Sequence, residues 1–159
     1  MFKLGLVLFS ATYFTQAFAG DYKLAVINDE HTSQAVVSGQ YAQALNLNHQ
    51  QLTSTESAFE TSMNQCAANI QLGNADAAIA LCNTALKLLK DVKADGLKRR
   101  EMSAYAYSNR GIAHSLKNEF DAALSDFSIA YTKNKNTITR TNYQVAKNSL
   151  QQLDNNVAP

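Results

Sequence analysis

The sequence predicts an all-α chain, and three observations predict it. One proline, six glycines and no tryptophan stand among 159 residues. Ala, Leu, Asn and Gln abound, a mix that suits helices better than sheet. Apolar residues recur at helix spacing over Ala104–Ala130, on both sides of the polar break Lys117-Asn118-Glu119. The same grammar, a turn residue followed by a helix opening on small apolar residues, occurs three times along the chain. An apolar content of 46% fits one globular domain. A net charge of +1 argues against nucleic acid as the main partner, because neutralising phosphates requires a basic face.

Taken in order, Met1-Phe2-Lys3 gives a positive start, and Leu4–Phe14 is an apolar run ending near Ala17-Phe18-Ala19. This is the pattern of a cleaved signal peptide over 1–19, with Gly20 as the new N-terminus. The run is shorter than the roughly 20 residues that span a bilayer, so no membrane span is expected after cleavage. Leu24-Ala25-Val26-Ile27 reads as an extended lead-in. A weakly helical stretch, His31–Ser38, breaks at Gly39-Gln40-Tyr41 and resumes with Ala42, Ala44 and Leu45. The break returns at Leu72-Gly73-Asn74-Ala75, followed by Ala78, Ile79, Cys82 and Ala85.

Registering the three copies makes Tyr41, Ala75 and Phe120 equivalent, and likewise Ala44, Ala78 and Ala123. The intervals are 34 and 45 residues. The surplus of eleven lies in Lys87–Glu101 and is expected as two overlong helices meeting at Asp95-Gly96. Gly96 would stop the first helix and Asp95 cap the second. A last helix over 138–153, with Val145, Ala146, Leu150 and Leu153 near one face, would cover the final apolar surface. Residues 154–159 read as a disordered tail.

The hairpin of Tyr107, Gly111 and His114 with Phe120, Ala123, Phe127 and Ala130 resembles a tetratricopeptide repeat (TPR). That family places an aromatic, Gly and Tyr on the first helix and Ala, Phe, Ala on the second. Its period is about 34 residues. The resemblance implies a short solenoid over 20–153, with a partial repeat at 29–51, full repeats at 59–93 and 97–136, and the capping helix. His114, in a position the family usually gives to tyrosine, would be core.

In an exported chain two cysteines favour one disulfide, with two buried thiols as the alternative. The resemblance places Cys66 where Gly111 stands and Cys82 where Phe127 stands, positions that face each other across a hairpin. It thus implies a bridge inside one repeat, closing a loop worth about 3 kcal/mol on the chain-entropy model.

The resemblance also implies a concave groove lined by the first helix of each pair. Its positions select Met63, Ala67 and Ile70 in one repeat and Tyr105, Ser108, Asn109 and Ile112 in the next. The subgroup that clamps a C-terminal carboxylate has Lys and Asn where Met63 and Ala67 stand, and only Asn109 matches. An extended or helical protein segment is the ligand this groove suits.

No residue pattern calls for an enzyme. His31 and His49 lack a second metal ligand at helical spacing, and no phosphate loop or nucleophile elbow occurs, so no metal or cofactor is expected. Asp121 and Asp126 read as solvated residues outside a helix. Lys98-Arg99-Arg100, with Lys87, Lys90 and Lys93, reads first as a solvated face and second as a dock for an acidic partner or an anionic surface. The expected function is a non-catalytic interaction module or scaffold, periplasmic by the family's distribution, binding a protein partner. The alternative is a self-associating structural protein of the cell envelope, a homo-oligomer.

Overall fold

The computed structural model describes residues 21–29, 32–47 and 52–157, with side chains to 152. The expected signal peptide and its cleavage point, His31 and His49 lie outside the described residues. Seven helices follow an extended segment that starts at Asp21: α1 (Ser33–Val37), α2 (Tyr41–Leu45), α3 (Thr55–Gln71), α4 (Ala75–Leu88), α5 (Gly96–Leu116), α6 (Phe120–Lys133) and α7 (Thr137–Val157). The described residues contain no strand, so the chain is all-α as expected.

Three hairpin turns share one geometry. Gly39, Gly73 and Asn118 have left-handed φ of 78°, 74° and 60°. Each donates its N–H to a carbonyl three residues back, and the following residue reaches five back: Gly39 to Val36 and Gln40 to Ala35, Gly73 to Ile70 and Asn74 to Asn69, Asn118 to Ser115 and Glu119 to His114. The paired bonds satisfy carbonyls that the ending helix leaves open. Tyr41, Ala75 and Phe120 then open the next helices, at the equivalent positions expected from the sequence.

Consecutive helices pack against each other, and α3 also packs on α5 and α5 on α7. The first helices of successive hairpins therefore form a contiguous inner row. Within α3–α4 the Cys66–Cys82 disulfide joins the two helices with Cα atoms 5.5 Å apart. Within α5–α6 the same separation of sixteen residues brings Gly111 against Phe127. A Cβ added at Gly111 would come within 2.8 Å of the Phe127 ring, so only glycine lets this ring lie flat against α5.

The eleven-residue surplus is built differently from the expectation of two overlong helices. α4 and α6 are both 14 residues long, whereas α5 has 21 residues against 17 for α3. The remainder forms a turn between α4 and α5. There Val92 is buried with Phe59, Met63 and Met102. Arg99 donates to the carbonyls of Leu89, Lys90, Val92 and Ala94, taking over acceptors that a longer helix would have used. Asp95 caps α5 as expected, accepting from the Lys98 N–H at 2.8 Å. At the other end α7 continues to Val157, beyond the 153 expected.

Candidate functional site

The inner row of helices presents three asparagines, Asn64 on α3, Asn109 on α5 and Asn142 on α7, each fully buried. What buries them is the extended segment Lys23–Ile27. Asn142 accepts from the Lys23 N–H at 2.7 Å and donates to the Lys23 carbonyl at 2.8 Å. Asn109 does the same for Ala25, at 2.9 and 2.8 Å. Asn64 does so for Ile27, at 2.8 and 2.7 Å. A carboxamide offers one acceptor and two donors on a planar end, so it can pair with both backbone groups of one residue as a neighbouring strand would. Because extended backbone repeats every two residues, the pairs fall on Lys23, Ala25 and Ile27. The segment runs with its N-terminal end on α7 and its C-terminal end on α3.

Side chains fix the register. Leu24 and Val26 pack on the cluster of Ala35, Val36, Ala44, Ala67 and Ala68, so α1, α2 and α3 form one wall. Ile27 packs against the cluster around Phe59 and Met63. Tyr22 stacks on Phe127 with ring centroids 5.0 Å apart, and its hydroxyl accepts from Ser115 at 3.3 Å. Burial raises the Tyr22 pKa, keeping the phenol neutral. Ala25 is only 2% exposed, which leaves no room for a larger side chain without displacing a wall.

The segment is anchored where it turns into α1. The Asp29 carboxylate accepts from the N–H groups of Thr32 and Ser33, at 2.8 and 2.6 Å, and from the Thr32 hydroxyl at 2.7 Å. Burial by itself would raise the Asp29 pKa, but these bonds to the charged form outweigh it and hold the pKa below the ordinary value.

The residues expected to line the groove take distinct places. Asn109 is the central rung of the ladder, and Ser108 accepts from Asn142 Nδ2 at 2.8 Å, orienting the third rung. Ala67 lies under the segment, and Ile70 and Ile112 lie in the cluster against which Tyr22 and Leu24 pack. Met63 is buried between helices. Tyr105 stands at the edge, donating to Glu101 at 3.0 Å and accepting from Asn136 at 3.2 Å. Asn64 and Asn142 were not among the expected positions. Asn64 had a signal: it stands 45 residues before Asn109, the interval that relates Cys66 to Gly111.

The opposite side of the α5–α6 hairpin is ionic. Asp126 is 4% exposed and makes a two-pronged pair with Arg110, at 2.7 Å for each bond, which corrects its reading as a solvated residue. Arg110 also donates to Asn83 at 2.6 Å, tying α5 to α4. His114 is an interhelical residue, but a polar one: Nδ1 meets Glu119 at 2.6 Å and Nε2 lies 3.8 Å from Asp126. Lys117 joins Glu119 to Asp76 and, with His114, holds the Glu119 pKa below its usual value. Tyr107 and Phe120, expected in the core, are partly exposed, while Ala123, Phe127 and Ala130 are buried. Of the basic triplet, Lys98 pairs with Glu56 at 2.8 Å and Arg99 is held by backbone carbonyls. Among the described residues Arg100 has no carboxylate within ion-pair distance.

Among the described residues no helix is long and apolar enough to cross a membrane, and no group of three His, Cys, Asp or Glu side chains converges as a metal site. Comparison with family models, with curated proteins and with solved structures gave no match.

Proposed function

We propose that this is a non-catalytic protein-binding module or scaffold of TPR type, exported to the periplasm, whose concave groove takes an extended segment of a partner protein. The observation that supports the reading is the ladder of Asn64, Asn109 and Asn142, which pairs both backbone groups of every second residue of an extended chain. Contacts of this kind recognise backbone, so they accept many sequences, while the walls select alternate apolar side chains. The chain's own N-terminal segment occupies the groove. A partner segment would replace it, against an effective concentration that short tethers set in the millimolar range.

The test uses the mature chain with a protease site introduced at the connection after Asp29. After cleavage, exchange of the segment for a fluorescent peptide of residues 20–28 is followed by anisotropy. Foreign peptides with small or apolar residues at the Leu24, Ala25 and Val26 positions are then added as competitors. They should displace the probe, and N-methylation of the peptide at the Ala25 position should abolish binding. If no foreign sequence competes, the segment is a fixed part of the fold and the groove is not a recognition surface.

The second reading, a self-associating envelope protein, draws on the same segment, because a second copy could donate residues 20–28 into the groove. It requires a concentration-dependent dimer or chain by light scattering, and Asn109→Ala should shift that equilibrium.

A further inference from the structure

A second concave feature lies away from the ladder. Tyr107 is two residues from Asn109, about 200° around the helix, so α5 shows one side chain to the groove and the other to its outer side. There a cleft of about 500 Å³ opens between α4, α5 and the end of α6, within the range of small-ligand sites, roughly 300–1,000 Å³. Leu86, Leu89 and Tyr107 supply its apolar lining, and among the described residues no carboxylate lines it.

Six cationic side chains face this volume, and two of them are committed elsewhere. Arg99 holds the carbonyls of the α4–α5 turn, and Arg110 holds Asp126. Among the described residues, Lys87, Lys90, Arg100 and Lys133 have no carboxylate partner within ion-pair distance. Lys133 lies over the Tyr107 ring, 5.7 Å from its centroid. Among the described residues, no Asp or Glu lines the cleft beside these four charges. The adjoining hollow shares Arg100 and Lys133 and is also lined by Asp95 and Glu101, which are engaged with the Lys98 N–H and the Tyr105 hydroxyl. Like charges brought together from three helices repel one another, and the repulsion is relieved only by salt or by a bound anion.

We infer that this cleft binds a phosphate-bearing ligand with at least two negative charges, either a soluble phosphate compound or a lipid headgroup. Four cationic side chains around one cleft of about 500 Å³ favour a dense anion over an acidic peptide. Carboxylates on one side of an extended peptide recur only every ~7 Å, so a peptide brings less negative charge into this volume than a polyanionic phosphate group does. Arg100 offers a planar fork for two phosphate oxygens, and the three lysines act as point charges around it. This inference is independent of the groove and stands if the groove reading fails.

The test uses the full mature chain at low salt, titrated calorimetrically with inorganic pyrophosphate. In parallel, flotation is measured with phosphatidylcholine vesicles, with and without an anionic phospholipid. Binding in the first arm alone identifies a soluble phosphate compound, and binding to the anionic vesicles identifies a headgroup. Lys90→Glu and Arg100→Gln should each weaken binding by about tenfold or more. Their melting temperature should stay unchanged or rise, since each removes an unbalanced charge. Lys147→Glu, exposed on α7, should leave binding as it was. Absence of binding in both arms, equal weakening by Lys147→Glu, or tighter binding of oligoglutamate than of pyrophosphate would overturn the assignment.

Discussion

Removing the Asn109 carboxamide is the sharpest test of how the groove holds its occupant. Asn109→Ala takes away two hydrogen bonds and leaves the N–H and C=O of Ala25 without partners. Ala25 is 2% exposed, so water cannot replace them while the segment stays in place. Leaving a buried polar group unpaired costs about 1–3 kcal/mol, which for two groups would approach 2–6 kcal/mol. The chain has an escape, because the segment can lift off and hydrate. The measured loss is therefore capped by the free energy of docking the segment, and about 2–3 kcal/mol is expected. For a chain of this size that corresponds to a fall in melting temperature of roughly 4–12 °C.

Hydrogen exchange separates the two routes. If the segment lifts off, the amides of Lys23, Ala25 and Ile27 should lose protection together, while the amides of α4 and α6 keep theirs. Asn142→Ala should act more weakly, since Lys23 is exposed and its freed groups can meet water. Asn109→Asp retains an acceptor for the Ala25 N–H but sets an oxygen against the Ala25 carbonyl, so it should not rescue. Wild-type protection at Ala25 in Asn109→Ala would refute the reasoning, because the ladder would then carry none of the segment's docking.

Three further outcomes follow from the packing. Gly111→Ala should lower stability by about 1–3 kcal/mol in thermal unfolding, because its Cβ would meet the Phe127 ring at 2.8 Å; the same change at Gly96, where nothing lies within 4 Å, should be far milder. Reducing the Cys66–Cys82 bond should cost about 3 kcal/mol in denaturant titration, with the midpoint moving and the helical signal retained under native conditions. Asp29 has a folded pKa below its unfolded one, so its contribution is fully present above the unfolded value and is lost as pH falls through the folded one. Segment amides should accordingly lose protection at acidic pH, and Asp29→Asn should remove that part of the pH dependence.

The elements that rest on local rules were legible in the chain. The turns at Gly39, Gly73 and Asn118 and the Asp95 cap each depend on residue type at a fixed offset, whereas the facing of Cys66 and Cys82 came from the family resemblance. The resemblance pointed to Asn109 as a residue for a partner segment, and it holds the chain's own segment; the 45-residue interval could have pointed to Asn64. The occupant was harder to see. Lys23, Ala25 and Ile27 are held through their backbones, so their side chains carry no mark of the contact, and an extended lead-in was the limit of what Leu24–Ile27 could indicate. The surplus of eleven residues was visible in number but not in form. Its shape depends on Val92 turning inward and Arg99 collecting carbonyls, contacts that arise only once the hairpins are packed.

The ladder also explains where that surplus can be tolerated. Packed helix axes lie about 8–10 Å apart, whereas two residues of extended chain advance only about 6.6–6.8 Å. Three carboxamides on successive helices can match the shorter period only if they converge, which is a property of the concave side of a curved row. An insertion within the inner face of α3 or α5 would change the height or rotation of one asparagine and break the match. The added length lies instead at the turn before α5 and in that helix's first turns, and Asn64 and Asn109 still reach residues two apart on one strand. The spacing of the asparagines along the segment, rather than equal length of the helices, is what these contacts require.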